Sequence, residues 1–199
     1  MIPSRVGISG HALHGGFGMS SHTNGLAVDW MIGATVVLAN SSIVHCSRTE
    51  NSDLFWALRG AGSSFGVVAE YEFSTFAAPS QVTYFTAPMG WNSGNTANNW
   101  MALQDYVQNT MPANLNFRLA ISSFESHLEG LFYGDSAGLR SALAPLFAKA
   151  GGSISSSNTV GWLEQLAYYA YGTALDQTHP YSVVSGLPTV RFQRRSATS

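Results

Sequence analysis

Cysteine is almost absent: Cys46 is the single one in 199 residues. That excludes an intramolecular disulfide, and it excludes a thiolate cage for a metal, which needs several cysteines at set spacing. Charge is scarce as well. Asp, Glu, Lys and Arg make up 10% of the chain, the net charge is −2, and no Lys/Arg cluster precedes the last few residues. Attraction to nucleic acid or to an anionic membrane has no source, so neither partner is expected. No apolar run reaches the roughly 18 residues of a membrane span, and the opening "MIPSRVG" lacks the apolar stretch of a signal peptide. No G-x-S-x-G elbow is present either, which removes the commonest serine-hydrolase signature.

What is present is apolar material, 45% of the chain, with 12% aromatics and 20 glycines. That suffices for a buried core. With so few charges, much of the surface is expected to face protein or a bulky ligand. The pattern is mixed. Over Gly25–Val44 two short strands are predicted around Gly33, with "NSS" as a turn and "IVHC" extended. "NSDLFWALRG" predicts a short helix capped by Ser52 or Asp53, with Leu54, Phe55 and Leu58 on its apolar face and Gly60 as its stop. "GVVAEYEF" predicts a strand in which Val68, Glu70 and Glu72 alternate with Val67, Ala69, Tyr71 and Phe73. "AAPS", 77–80, is a natural boundary. Beyond it the pattern predicts a strand over "QVTYFTAP" and a helix over 96–111 with Trp100, Leu103 and Val107 inward. Strands over "NFRLAISSFE" and "HLEGLFYGD" follow. A helix with Leu139, Leu143 and Leu146 inward comes next, kinked or divided by Pro145, and "TVGWLEQLAYYAYG" is a last helix. The order predicts an α+β second domain. From residue 182 the sequence loses its period; it reads as a frayed terminus or as sequence in a shifted frame.

The stretch most suggestive of chemistry is "GISGHALHGGFG", Gly7–Gly18. Glycines permit positive φ or close approach of backbone to a ligand, and successive free N–H groups can cradle an electron-rich group. The spacing is neither a P-loop nor the dinucleotide fingerprint. Taken alone, such a segment is better explained by turns and bulges. His11, His14 and His22 invite a metal, but their gaps fit no common zinc motif and no carboxylate precedes Asp29. Asp29 suits either a histidine partner or a hydrogen-bonded turn. Trp100, Trp162, Tyr168, Tyr169 and Tyr171 suit either sugar stacking or a core. Cys46 has no neighbouring base and reads as inert. The triplet Asn40-Ser41-Ser42 permits N-glycosylation in a secreted chain.

Three stretches taken together, "VGISGHALHGGFGMSSHTNGLAVDW", "ATVVLANSSIVHCSRTENSDLFWALRGAGSSFGVVAEYEF" and "WLEQLAYYAYG", resemble the FAD-linked oxidases of the berberine-bridge-enzyme and glucooligosaccharide-oxidase group. The resemblance covers roughly residues 6–180 and is densest over 6–76. It implies the second half of a p-cresol methylhydroxylase-type FAD-binding domain over 1–80, part of an α+β substrate domain over 81–181, and an irregular tail over 182–199. Gly7, Ile8, Ser9 and Gly10 would run along the flavin, with His11 beside its ring and ribityl chain. Val6 would sit at the flavin face where oxygen access is set, and Val68 would touch the nucleotide through its backbone. The implied partners are a small-molecule substrate, an oligosaccharide among the options, and O2. The implied reaction passes hydride from a sugar or other alcohol to flavin and then to O2, giving H2O2. Secretion is inherited from the same resemblance.

Two departures accompany it. Many members attach FAD through a His and a Cys, and in "PSRVG" Pro3 stands at the Cys position. The His-bearing half and the catalytic base have no counterpart in these residues, so no catalytic residue is assigned and the chain alone is expected to lack turnover. A remnant with weak or no flavin binding is the alternative. Exposed strand edges would also make it prone to aggregate.

Overall fold

The computed structural model describes residues 7–92, 94–122 and 124–169. Val6, Pro3, Tyr171 and the tail from residue 182 lie outside them. In chain order the elements are α1 (Ile8–Ala12), α2 (Ser21–Asn24), β1 (Met31–Val37), β2 (Ile43–Ser47), α3 (Ser52–Ala61), β3 (Val67–Phe73), β4 (Val82–Pro88), α4 (Thr96–Asn109), β5 (Leu115–Ile121), β6 (Ser126–Phe132), α5 (Ser136–Ala150), β7 (Ser156–Val160) and α6 (Trp162–Tyr169). They form two compact units. The described part of one is residues 7–18 and 25–77; that of the other is 19–24 and 78–169.

The unit holding residues 25–77 is built on an antiparallel sheet of order β2-β1-β3. Its core gathers Leu13, Met31, Ala34, Val36, Cys46, Phe55, Leu58 and Tyr71. The strand expected to break at Gly33 runs through it. A Cβ there would lie 3.0 Å from Glu72 Oε2 and 3.1 Å from His45 Nε2, the movable ends of two partly exposed side chains. Strict alternation along β3 also fails, for a specific reason. Thr35 pairs with Glu70 and Val36 with Val68, so Ala69 is an unpaired bulge. One extra residue reverses the facing of everything beyond it. Val68, Tyr71 and Phe73 therefore all join the core, while Val67 is 70% exposed.

Helix α3 buries Phe55 and Leu58 as expected. Its cap is neither Ser52 nor Asp53: Asn51 precedes the helix at φ 43 without a side-chain cap bond. Asn tolerates that left-handed conformation, and its Nδ2 donates instead to the His45 carbonyl at 2.7 Å. Gly60, at φ 143, breaks the helical path.

The other unit has a four-stranded antiparallel sheet, β5-β6-β4-β7. Phe85, Ala87, Leu115, Leu128 and Phe132 from the strands meet Leu103, Tyr106, Leu139, Leu143 and Leu146 from α4 and α5 in one core. The inward face of α4 is Leu103 and Tyr106; Trp100 and Val107 are exposed. The tyrosine wins because its hydroxyl finds an acceptor, the Ala142 carbonyl at 2.7 Å. Pro145 does not divide α5, which runs unbroken from Ser136 to Ala150. The carbonyl it deprives of a donor belongs to Ser141, an exposed residue whose carbonyl water can serve. Thr159 and Val160, expected at the start of the last helix, instead end the edge strand β7.

Candidate functional site

The glycine-rich opening is a short helix followed by a left-handed turn, where composition alone suggested a loop. Gly7 is extended and precedes α1. Ala12 and Leu13, both buried, anchor the helix, and burial of that pair outweighs the poor helix propensity of the glycine and serine before it. Positive φ occurs at Gly15 (99°) and Gly16 (82°), not at Gly7 or Gly10. The turn is fixed by two backbone bonds, Ala27 N–H to the Gly16 carbonyl and Val28 N–H to the Gly15 carbonyl, each 3.0 Å.

This geometry leaves the first turn of α1 bare. A Cβ added at Gly7 or at Gly10 would meet nothing within 4 Å, and Gly7, Ser9 and Gly10 are exposed. The first-turn N–H groups have no acceptor within the helix. His11 lies beside this strip, half-buried, its ring packed on Gly16: a Cβ there would be 3.0 Å from Cδ2. Burial pushes the His11 imidazole below its ordinary value, opposed by a hydrogen bond to the Gly16 backbone. Beneath the strip the Tyr71 hydroxyl is buried and has no hydrogen-bond partner at normal geometry. Burial raises its phenol, with Ser9 as the neighbour that offsets the rise. Tyr71 did not stand out in the sequence; its only signal was being the lone tyrosine of β3.

Val68 packs into the core next to the Ala69 bulge, on a strand at the sheet edge whose outer backbone groups have no strand partner among the described residues. His14 turns back on its own helix, Nδ1 3.0 Å from the Gly10 carbonyl, and its Nε2 is 3.4 Å from Ser63 Oγ. His22 is exposed in α2. Among the described residues no three His, Cys, Asp or Glu side chains gather as a metal site. Asp29 is a turn carboxylate: its Oδ2 accepts from Leu26 N–H at 3.0 Å and its Oδ1 pairs with Arg59 at 3.6 Å. The Cys46 thiol is buried, 3.5 Å from the Ala34 carbonyl, and burial raises its pKa.

In the unit of residues 19–24 and 78–169, the sheet face away from α4 and α5 is polar and aromatic. Arg118 pairs with Glu129, which also lies 3.9 Å from His127. Tyr84 stacks on Tyr168 at 3.9 Å and accepts from Asn158 at 3.1 Å. Tyr169 donates to the Gly130 carbonyl at 2.9 Å, and Trp162 meets Tyr133 edge-on at 6.0 Å. Segment α2 is tied here by Thr23 and Asn116: Thr23 N–H donates to Oδ1 at 3.2 Å, and Asn116 Nδ2 donates to Thr23 Oγ1 at 2.7 Å. No local signal predicts a pair 93 residues apart.

No family model matches the chain. The xylooligosaccharide oxidase of Thermothelomyces thermophilus is 49% identical over 177 residues, covering 88% of this chain and 36% of that protein. The glucooligosaccharide oxidase of Sarocladium strictum is 48% identical over 180 residues, with 89% and 36% covered. A solved structure of the glucooligosaccharide oxidase from Acremonium strictum, a protein with 6-S-cysteinyl, 8α-N1-histidyl FAD, matches with a TM-score of 0.83 and 43% identity over 94% of this chain and 38% of that one. The chain belongs to the FAD-linked oxidases. It spans about 36% of the length of the curated oxidases it matches. Its mixed helix and sheet is the architecture of part of that oxidase fold.

The residues of this chain fit a flavin edge on two counts: bare α-carbons at Gly7 and Gly10, and first-turn N–H groups with no acceptor inside the helix. They do not offer the cysteinyl bond. Pro3 carries no thiol, and the single thiol, Cys46, is enclosed in the core. No described helix is long and apolar enough to cross a membrane.

Proposed function

We propose that this chain is part of an FAD-dependent oxidase of oligosaccharides, with the unit built on β1–β3 forming one wall of the flavin site. The bare strip Gly7–Gly10 beside His11, whose ring packs on Gly16, carries this reading. Backbone N–H groups of Gly7, Ile8, Ser9 and Gly10 would hold the electron-rich edge of the cofactor. His11, tied to Gly16, would sit beside the ring and ribityl chain and support charge that develops on the reduced ring. Val6 belongs to the same wall by resemblance, and Val68 would contact the nucleotide through the edge of β3. Bound FAD supplies the acceptance of hydride from a sugar CH–OH group and its delivery to O2 as H2O2. We assign residues 1–80 to the FAD-binding domain and 81–181 to part of the substrate domain, whose polar, aromatic face suits a sugar. Secretion goes with this reading, since polymeric sugars and O2 meet outside the cell.

A second reading, a chain with little flavin affinity and no turnover, is favoured by its exposed apolar groups: Trp56 is 78% exposed, and Ile43 and Val67 are each 70% exposed. Expressing the full chain and dialysing it against FAD separates the two. Retained flavin with a shifted visible spectrum is the expected outcome; complete loss of flavin on dialysis selects the second reading. Peroxide release on adding xylo-, cello- or chito-oligosaccharides then reads turnover.

A further inference from the structure

The β1–β2 hairpin ends in a turn that the flavin reading does not use. Ala39, Asn40 and Ser41 at its tip are exposed. The turn is closed by Leu38 N–H to the Ser42 carbonyl and Ser41 N–H to the Leu38 carbonyl, both 2.9 Å, with Ser41 at φ 67. Inside it the Asn40 side chain has a set orientation: Oδ1 accepts from Ser42 N–H at 3.0 Å and from Ser42 Oγ at 2.6 Å. This Asx turn engages only the carbonyl end of the carboxamide. Asn40 is exposed, and among the described residues its amide nitrogen has no partner. Asn40-Ser41-Ser42 is also the only Asn-x-Ser/Thr triplet in the sequence.

We propose that Asn40 is the acceptor of an N-linked oligosaccharide. The triplet places a hydroxyl two residues on from the acceptor, and here that hydroxyl grips the acceptor's own carbonyl. The site sits at the end of β2, an edge strand, so the glycan has an open side. The same end of the sheet carries the cross-strand row Ile43–Val37–Val67, whose outer members are exposed. A bulky hydrophilic group beside such an edge opposes strand-to-strand association. The donor is a polyprenyl-diphosphate oligosaccharide. A bond forms between Asn40 Nδ2 and C1 of the first sugar, the C1–O bond to the diphosphate breaks, polyprenyl diphosphate leaves with the electron pair, and the amide nitrogen loses one proton to solvent. Nothing is oxidised or reduced.

The test is translation of the full chain behind a cleavable export leader in the presence of microsomes, followed by protease treatment to isolate the lumenal fraction. One heavier species that collapses on treatment with a peptide N-glycosidase is expected. Asn40→Gln and Ser42→Ala should abolish it, while Ser42→Thr, which keeps the hydroxyl, should retain it. A lumenal chain of unmodified mass overturns the proposal, as does a glycan that persists in Asn40→Gln. The readout is a mass, so it stands or falls separately from flavin binding.

Discussion

Leu13 lies directly over the bare α-carbon of Gly62: a Cβ at that glycine would come within 2.7 Å of Leu13 Cδ2 and 3.0 Å of Leu13 Cβ. The backbone at Gly62, φ −56 and ψ −32, is ordinary helical geometry that alanine adopts freely. Gly62→Ala therefore acts through overpacking alone, which costs about 1–3 kcal/mol. The expected result is a lower unfolding midpoint in denaturant for Gly62→Ala. The double variant Leu13→Ala/Gly62→Ala should lose less than the sum of the single losses, since the first change makes room for the second. Strict additivity would sink the idea.

That contact also marks where sequence patterns stop informing. Strands β1, β2, β4, β5 and β6 and helices α3 and α5 follow from runs and periods whose apolar residues repeat locally. The inward side of β3 does not, because the Ala69 bulge shifts the phase midway and composition gives no sign of it. Strand β7, "SSNTV", is too polar to look like a strand; it is one because Thr159 Oγ1 lies 2.8 Å from Thr83 Oγ1 and 3.0 Å from Ser136 Oγ. Tyr106 turns inward only because α5 brings it an acceptor. In the candidate site the glycine strip and His11 were visible as residue types. Their helical backbone and the turn at Gly15–Gly16 that seats His11 depend on Ala27 and Val28, and the position of Tyr71 on a strand far along the chain.

His45 sits on the outer sheet face between two carboxylates, Nδ1 3.0 Å from Glu50 and Nε2 3.3 Å from Glu72. The hydrogen bond that His45 donates to Glu50, with the charges of Glu72 and Glu50, raises its pKa above the ordinary 6.5. A raised folded-state value stabilises the fold while the group is protonated in both states. The contribution is present below about pH 6.5 and fades as pH climbs through the raised value. Unfolding midpoints should therefore fall over that climb, and His45→Gln should flatten this part of the profile. The groups are partly exposed, so added salt should shrink the effect. A profile unchanged by His45→Gln would remove His45 as its source.

Gly130, in the middle of β6, faces backbone rather than a movable side chain. A Cβ there would fall 2.1 Å from the Asn116 carbonyl oxygen and 2.7 Å from Phe117 Cα. No rotamer relieves that clash, so β5 and β6 must separate. Gly130→Ala is expected to cost about 3 kcal/mol or more. Gly94→Ala is the control, because its nearest neighbour is the movable Asn92 Oδ1 at 3.3 Å. Thermal unfolding followed by circular dichroism distinguishes them; equal midpoints would mean the β5–β6 pair tolerates the methyl group.

Gly10 allows the flavin wall to be tested without disturbing the fold. Nothing lies within 4 Å of a Cβ placed there, and its φ is not in the left-handed region that would exclude a side chain. Gly10→Val thus adds bulk only on the open side of α1, and its effect on stability should stay within about 1 kcal/mol, the range of helix-propensity changes. If the strip lies against the cofactor, the same methyl groups occupy space that the flavin needs. Affinity for FAD, followed by quenching of flavin fluorescence, should then fall at least about tenfold, roughly 1.4 kcal/mol. Gly60→Ala serves as a comparison. It too has open space around its Cβ position, but its φ of 143 penalises a side chain. It should therefore weaken the fold while leaving the affinity of the folded fraction unchanged. Unaltered flavin binding in Gly10→Val would place the cofactor elsewhere and return the opening helix to a purely structural role.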